Sequence, residues 1–246
     1  MNALTIGLIG LAAGVLGTGL GGVITAMFGK PSKGVLGFYM GFAGGIMLTL
    51  IFAEMIPEAI EEAGLTLAII GMIVGVGILI VADRKFPHMH HGGNTEGDTK
   101  YMRMGYLLGF GIAIHNFPEG MAIGAGYASA SGLGLTLAIV LALHNIPEGI
   151  AMAAPLAAGG VRAARIILAT ILAGIPVGIG SFLGMLIGDV SPVFLSLALG
   201  FAGGAMLYIS FEELLPEAHT QSDGGHQGIY GGIAGVIIGY ILVAIF

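Results

Sequence analysis

Eight long apolar segments take up most of this chain, and they constrain its fold more than any other feature. A helix needs about 20 mainly apolar residues to cross a bilayer, and each segment is about that long or longer. Charged residues make up only 9% of the chain, whereas soluble domains carry roughly 25%. The sequence therefore predicts an all-α, polytopic membrane protein with a single transmembrane domain over residues 1–246. The predicted spans cover roughly 3–28, 34–60, 64–82, 103–128, 133–157, 161–188, 192–218 and 228–246.

The charge and cysteine content exclude several kinds of function. The chain has eight Lys and Arg residues and a net charge of -6, which is the opposite of the basic surface that nucleic-acid binding requires. It has no cysteine, so disulfides, thiolate metal sites and cysteine nucleophiles are excluded. We therefore expect membrane lipid, and no nucleic acid, among the partners of this chain.

The basic residues predict how the chain is oriented. With eight spans, every Lys and Arg falls in the connections after spans 1, 3 and 5, on one side of the membrane. The opposite side carries Glu61, Glu62 and Asp189 but no basic residue. By the positive-inside rule the basic side is cytoplasmic, so we expect a multi-pass protein of the cell membrane with both termini outside the cytoplasm. The basic residues are Lys30, Lys33, Arg84, Lys85, Lys100, Arg103, Arg162 and Arg165.

An internal repeat relates the second span to the seventh. One glycine-rich phrase and one pair of glutamates occur in both, at a constant offset of 159 residues. Five crossings separate the copies, so they run through the bilayer in opposite directions, and such inverted repeats are typical of transporters. The predicted architecture is 3+2+3, with spans 1–3 and 6–8 as inverted repeats around a central hairpin. The repeated elements are Gly-Phe-Ala-Gly-Gly at 41–45 and 200–204, and Glu54/Glu58 and Glu213/Glu217.

The two central spans share the phrase His-Asn-x-Pro-Glu-Gly, at 115–120 and at 144–149. In each copy His and Glu are four residues apart, which places both side chains on one face of a helix. Pro cannot donate a backbone hydrogen bond, so the carbonyls of Ile114 and Leu143 lose their helical partners. Both histidines are predicted near mid-membrane, where an ionised acid costs at least about 2.5 kcal/mol by insertion scales. Each phrase therefore needs a compensating charge.

Imidazole nitrogen and carboxylate oxygen together favour a divalent transition metal. This donor set suits Zn²⁺, Fe²⁺ or Mn²⁺, whereas Ca²⁺ and Mg²⁺ prefer oxygen alone. Four donors would bind one ion, and two neighbouring asparagines would serve a second, weaker ion that the glutamates bridge. The alternative is packing alone, in which Pro kinks each helix and His bonds to Glu between helices. The first set is His115, Glu119, His144 and Glu148, and the second is Asn116 and Asn145.

Other polar side chains are candidates for the path of the ion. Glutamates at one end of span 2 and at the opposite end of span 7 would raise the local cation concentration there. The alternative for Glu58 and Glu217 is a solvated helix end. A cytoplasmic loop predicted at 83–102 carries histidines that would catch released metal, or it is a plain polar loop. The candidates are Glu54, Glu58, Glu212, Glu213 and Glu217 on the path, and His88, His90 and His91 in the loop.

Transport is the function that these features predict, and two alternatives compete with it. A metal-dependent intramembrane hydrolase would keep one coordination position open, whereas four ligands are present here and no HExxH or Gly-x-Ser-x-Gly phrase occurs. A metal-selective channel differs from a carrier only in its kinetics. We expect a carrier of divalent metal that works by alternating access, and not an enzyme. Zinc is the expected substrate, with iron, manganese and cadmium as alternatives.

The chain resembles the ZIP (Zrt/Irt-like) family of divalent metal transporters, and its prokaryotic branch in particular. The resemblance covers nearly the whole chain and rests on the two central phrases, the eight spans and the histidines between spans 3 and 4. It implies zinc uptake into the cytoplasm, a two-metal site at the central phrases and a homodimer. Prokaryotic relatives often have a Glu-Pro pair in span 6, whereas this chain has Ile175-Pro176. This difference implies a second metal site that is poorer in charge.

Overall fold

The computed structural model describes residues 1–85, 96–128, 134–187, 191–222 and 225–245. Within these ranges the chain forms eight long helices and no strand, so the all-α prediction is confirmed. Seven helices are long and apolar enough to cross a membrane, and the other, α4, has 33 residues with the polar phrase in its middle. The helices are α1 (Ala3–Phe28), α2 (Lys33–Ala63), α3 (Leu65–Lys85), α4 (Glu96–Ala128), α5 (Gly134–Ala158), α6 (Ala163–Ile187), α7 (Pro192–Gln221) and α8 (Gln227–Ile245).

Local sequence signals explain several helix ends. The Asn2 side chain caps α1 by accepting a hydrogen bond of 2.9 Å from the backbone N–H of Thr5, as short polar residues do at this position. Gly64 ends α2 with a φ of 90°, a conformation that glycine adopts without strain. Pro192 occupies the first position of α7, where its missing N–H is not needed.

The loop predicted at 83–102 is shorter than expected. Helix α3 continues to Lys85 and α4 already begins at Glu96, so both ends of the predicted loop are helical. Lys100 is ion-paired with α7, and Arg103 with α3 and α7. These tertiary contacts hold the first turns of α4, and hydropathy alone does not reveal them.

The helices pack in two groups. Helices α1 and α6 pack along each other and against α4 and α5, while α2 packs with α8 and α3 packs with α7. The central hairpin also touches the second group, because α4 contacts α7 and α5 contacts α2. The two copies of the central phrase therefore lie where the groups meet.

The inverted repeat predicted from the sequence is visible in the packing of α3 and α8. Gly75 of α3 lies against the backbone of Phe201 in α7, and Gly235 of α8 lies in the same way against Phe42 in α2. Phe42 and Phe201 are repeat mates at the 159-residue offset. A Cβ at either glycine would collide with a backbone oxygen, so small residues permit this close helix approach.

The same correspondence extends to α1 and α6, although these helices share no obvious phrase. Gly149 of α5 lies against the backbone of Thr18 in α1, and Gly120 of α4 lies against Val177 in α6. Thr18 and Val177 are again separated by 159 residues. The last glycine of each central phrase therefore packs against one of the two repeats, Gly149 against α1 of the first repeat and Gly120 against α6 of the second.

Helices α2 and α7 each contain one π-helical turn, at Ile51–Met55 and at Ser210–Leu214. The two turns match at the 159-residue offset. Such turns are rare inside α-helices and are frequent at functional sites. They carry Glu54 and Glu213, so one predicted path residue of each repeat lies at the same irregularity of its helix.

Candidate functional site

The two central phrases face each other in the middle of the bundle. His115 Nε2 is hydrogen-bonded to Glu148 Oε2 at 3.1 Å and lies 3.0 Å from Oε1 of the same carboxylate, and His144 Nε2 is hydrogen-bonded to Glu119 Oε1 at 3.2 Å. Within α4, His115 Nδ1 is 3.5 Å from Glu119 Oε1, and the two imidazole rings are 6.5 Å apart. All four side chains are buried. Each histidine therefore pairs most closely with the glutamate of the other helix.

These cross-helix pairs compensate the buried carboxylates. They are the interhelical His–Glu bonds that the packing alternative predicted. Among the described residues, no three His, Asp or Glu side chains are arranged as ligands of one metal ion. The metal-ligand assignment therefore stays a prediction, and its support has to come from other features of the site.

The site residues hold most of the buried polar atoms that lack a hydrogen-bond partner. Over the described part of the chain there are eight such side-chain atoms, and seven belong to the two central phrases. Each unsatisfied buried polar atom costs about 1–3 kcal/mol, so a motif that served packing alone would not leave seven in one place. The atoms are His115 Nδ1, Asn116 Oδ1, Glu119 Oε2, His144 Nδ1, Asn145 Nδ2, Asn145 Oδ1 and Glu148 Oε1. Glu148 Oε1 lies within ion-pair distance of His115 Nε2, but the hydrogen bond of that nitrogen is made with Oε2.

The two asparagines of the predicted second site differ in their contacts. Asn116 Nδ2 donates a hydrogen bond of 2.8 Å to the carbonyl oxygen of Ala173 in α6. Asn145 packs against Gly17 of α1, and neither amide atom of Asn145 has a partner among the described residues. Ile175 lines an apolar groove between α1 and α6. The contribution of α6 to the site is therefore a backbone carbonyl, and the second ion stays a prediction.

A cavity reaches the central residues from one end of the bundle. Its volume is about 270 Å³, and Glu54 and His144 line it. An adjoining cavity of about 50 Å³ is lined by the same two residues together with Glu58 and Glu119. We call this end, which carries Glu54 and Glu58, the cavity end. A cation that enters there meets Glu54 beside the His144–Glu119 pair.

At the other end of the bundle the corresponding glutamates are ion-paired. Lys100 Nζ lies 2.5 Å from Glu217 Oε2. Arg103 bridges two helices, with Nη1 3.5 Å from Glu213 Oε1 of α7 and Nη2 bonded to the Asp83 carboxylate of α3. We call these five residues the ion-pair cluster and this end the basic end. The Glu217 side chain is 3% exposed, so it is not a solvated helix end.

A packed apolar layer separates the central residues from the ion-pair cluster. It contains Leu108 and Ile112 of α4, Met47 of α2, and Met206 and Ile209 of α7, all of them buried. The path is therefore open toward the cavity end and closed toward the basic end.

The other predicted path residues are less informative. Glu212 and Glu58 are exposed, and Glu212 is not part of the ion-pair cluster. His88, His90 and His91 lie outside the described residues, so their role stays a prediction. Sequence reasoning used Lys100 and Arg103 only as markers of topology and missed their contacts. The usable signal was that they share a predicted side of the membrane with Glu213 and Glu217 and not with Glu54 and Glu58.

Comparison with known proteins identifies the family. The model of the ZIP zinc transporter family matches residues 82–246. The zinc transporter ZupT of Corynebacterium glutamicum is 36% identical over 94% of this chain and 95% of the relative. The ZupT proteins of Enterobacter sp. strain 638 and Escherichia fergusonii are 36% and 34% identical, over 92% and 93% of this chain and 91% and 92% of their own lengths. The family consists of transporters, so the hydrolase alternative is wrong.

The family match includes the candidate site, and the matches to individual relatives extend over nearly all of the helices. The segment matched by the family model, 82–246, contains both central phrases, and the similarity to the three ZupT proteins extends over nearly the whole chain. Because the described part of the chain contains seven apolar helices of sufficient length, the chain is a multi-pass membrane protein. It belongs to the ZIP zinc transporter family, in its prokaryotic branch.

Proposed function

We propose that this chain carries zinc or a closely related divalent cation across the cell membrane into the cytoplasm by alternating access. One observation carries the proposal: seven buried polar atoms without a hydrogen bond lie at the centre of the bundle, and a cavity reaches this centre from the cavity end. The relatives are named as zinc transporters, which supports zinc as the substrate.

The distribution of charge supports uptake toward the cytoplasm. By the positive-inside rule, the basic end would face the cytoplasm and both termini would lie outside it. Cations would then enter at the cavity end, where Glu54 and Glu58 raise their local concentration. They would leave past Glu213 and Glu217, with Glu212 nearby and the loop histidines as acceptors.

At the centre, the substrate cation would replace the His–Glu hydrogen bonds. The four ligands would be His115, Glu119, His144 and Glu148, with two nitrogens and two carboxylates in a set that suits tetrahedral zinc. Metal binding requires deprotonated carboxylates and neutral imidazoles, so any excess proton on these ligands would leave as the cation binds. The carboxylates then exchange one compensating group for another and do not become bare charges.

Metal preference and the second ion are finer parts of the proposal. Affinities for divalent metals follow the Irving–Williams order, so iron, manganese and cadmium are expected to compete with zinc. Asn116 and Asn145 would serve a weaker second ion. Elemental analysis of liposomes loaded from equimolar metal mixtures measures this preference directly.

Zinc uptake into proteoliposomes tests the assignment of ligands. We expect Glu119→Gln and His144→Ala to lower uptake by more than about tenfold, since even outer-shell partners of metal ligands cost that much when removed. Glu61→Gln is the matched control, because Glu61 is exposed and lies near Glu58 on the same helix. Unchanged uptake in both site variants would refute the proposal. Saturable uptake supports a carrier, whereas single-channel currents would show a pore.

We also propose a homodimer, on the resemblance to the family. The large apolar side chains on α3 and α8 are exposed, so a second copy has apolar surface to pack against within the membrane. Light scattering of the purified protein in detergent measures the mass, and a monomer at all concentrations would contradict this part of the proposal.

A further inference from the structure

The two ends of the inverted repeat differ in their basic residues. At the basic end, the first turns of α4 carry Lys100 and Arg103. The two central phrases are 29 residues apart, and the same offset leads from these positions to Ser129 and Gly132. Neither is basic. The predicted topology therefore places basic residues on the membrane side of Glu213 and Glu217, and none on the side of Glu54 and Glu58.

A similar difference exists between α3 and α8. The packing glycines Gly75 and Gly235 relate these helices at an offset of 160 residues, which pairs Asp83 with Val243. Asp83 belongs to the ion-pair cluster, whereas Val243 lines the cavity. The cavity thus occupies, at its end of the bundle, the place that the cluster fills at the other end.

The contacts of Glu217 bind the start of α4 to the end of α7. Lys100 Nζ lies 2.5 Å from one carboxylate oxygen, and Gln221 Nε2 donates a hydrogen bond of 2.6 Å to the other. Gln221 Nε2 also donates to the hydroxyl of Tyr101, at 2.6 Å. The Lys100 side chain is 56% exposed while that of Glu217 is 3% exposed. The lysine therefore reaches from the surface to a buried carboxylate.

Arg103 joins α4 to two further places. Its Nη2 donates a hydrogen bond of 3.1 Å to the backbone oxygen of Asp83 and another to the Asp83 side chain, while Nη1 faces Glu213. Its Nε is buried and has no partner in the described part of the chain. Helices α3, α4 and α7 are thus joined at the basic end by three carboxylates and two cationic side chains.

We propose that Lys100 and Arg103 are tethered cations, which occupy Glu217 and Glu213 while the basic end is closed. The transported cation would reach these carboxylates only after the start of α4 has moved away. The nature of the cargo rests on the proposed function, but the closing role of the two side chains does not.

The physical basis is competition for the same carboxylates. Without Lys100 and Arg103, Asp83, Glu213 and Glu217 would form a strongly negative cluster that attracts a divalent cation. When the basic side chains return, they replace that cation and leave it free to enter the cytoplasm. A group shifts a conformational equilibrium only by its differential interaction with the two states. Here the ion pairs stabilise the closed state, and the transported cation stabilises the open one.

A single cysteine tests the closing role without measuring transport. The chain has no cysteine, so Ser210→Cys, at a fully buried position in the π-helical turn of α7, would be its only thiol. The protein in oriented vesicles is treated with a membrane-impermeant maleimide from each face. We expect Lys100→Ala/Arg103→Ala to raise the labelling rate about fivefold or more from one face only, as a shift toward the open state predicts.

Two further variants distinguish the closing role of Lys100 and Arg103 from a general loss of structure. Arg165→Gln also removes a basic charge, from an exposed position at the start of α6, and should leave labelling unchanged. The charge-exchanged variant Lys100→Glu/Glu217→Lys should return labelling toward the parent rate. Labelling that is unchanged in the double-alanine variant, or that rises equally from both faces, would overturn the proposal. If the parent takes up zinc but the double-alanine variant labels at the parent rate, only the closing role of Lys100 and Arg103 is refuted. If the double-alanine variant labels faster but the parent takes up no zinc, only the transport proposal is refuted.

Discussion

The two glutamate pairs of the inverted repeat have the same sequence context but different surroundings. Glu54 and Glu213 lie at matching π-helical turns. Glu54 lines a cavity that leads to His144, whereas Glu213 is paired with Arg103 beneath a packed apolar layer. The repeat therefore specifies two equivalent half-paths, and residues that the repeat does not share decide which half is closed.

This difference has a direct physical meaning in a transporter. Two inverted halves that pack alike can exchange their arrangements, because the packing that opens at one end of the bundle has an equivalent that forms at the other end. The structure holds one of these arrangements, with the cavity end open. Substitutions that affect one half more than the other would test this interpretation.

The packing of the two halves should be equally intolerant of larger residues. Leucine at Gly75 or at Gly235 would meet a backbone oxygen, so each variant should lose about 1–3 kcal/mol or more of stability. The apparent midpoint of thermal unfolding in detergent measures this loss. Gly77→Leu is the control, because no atom lies within 4 Å of a Cβ there. Markedly different losses at Gly75 and Gly235 would contradict equivalent packing.

A tethered cation at the cavity end should close the open half. Val140 lines both cavities together with Glu54, so Val140→Lys places an ammonium group beside that carboxylate. We expect zinc uptake to fall about tenfold, since the new charge repels the substrate and neutralises the acid. Val140→Met has a similar length without the charge and should retain most of the uptake. Equal losses in the two variants would indicate a steric effect.

Substitutions of Glu54 and Glu213, which occupy matching positions in the two repeats, should change different kinetic constants. Glu54→Gln removes the carboxylate that the incoming cation meets, so the zinc concentration at half-maximal uptake should rise about threefold to fivefold with little change in the maximal rate. Glu213→Gln should instead change the maximal rate, because Glu213 lies beyond the closed layer. Concentration-dependent uptake by both variants, with Glu61→Gln as control, measures the difference. The same effect from both would remove the distinction between the two ends.

The smallest effect is expected from copying Asp83 to the cavity end. Val243→Asp adds a third carboxylate near Glu54, by analogy with Asp83 beside Glu213. The half-saturating zinc concentration should fall about twofold, and this effect should shrink at high salt because exposed charges are screened. Val243→Asn is the uncharged control. An effect that does not depend on salt would argue against an electrostatic cause.

Much of the fold could be predicted from the sequence because a bilayer leaves few choices. A segment of about 20 apolar residues in lipid has to satisfy its backbone internally, so it becomes a helix. The predicted spans match the observed helices closely except α4, which begins at Glu96 and not near residue 103. Its first turns are polar and owe their order to the ion pairs of Lys100 and Arg103. Hydropathy does not register such contacts.

The residues of the candidate site could also be identified from the sequence, but the contacts between them could not. The four-residue spacing placed His115 next to Glu119, and that contact exists at 3.5 Å. The closer contact of His115, at 3.0 Å, is with Glu148 of the other helix. Spacing along one helix cannot reveal which side chains meet across a helix pair, because the rotation and depth of the two helices decide it.

The sequence by itself determined the number of helices, the repeat and the six polar residues at the centre. The polar residues could be identified because burying a polar group in lipid is costly, so such residues are rare in transmembrane segments. Only the tertiary structure decided which histidine meets which glutamate, which repeat borders a cavity and which is closed by Lys100 and Arg103. The physical reason is that two inverted halves that pack alike are compatible with closure at either end of the bundle. The choice between them rests on a few interactions between side chains that are far apart in the sequence.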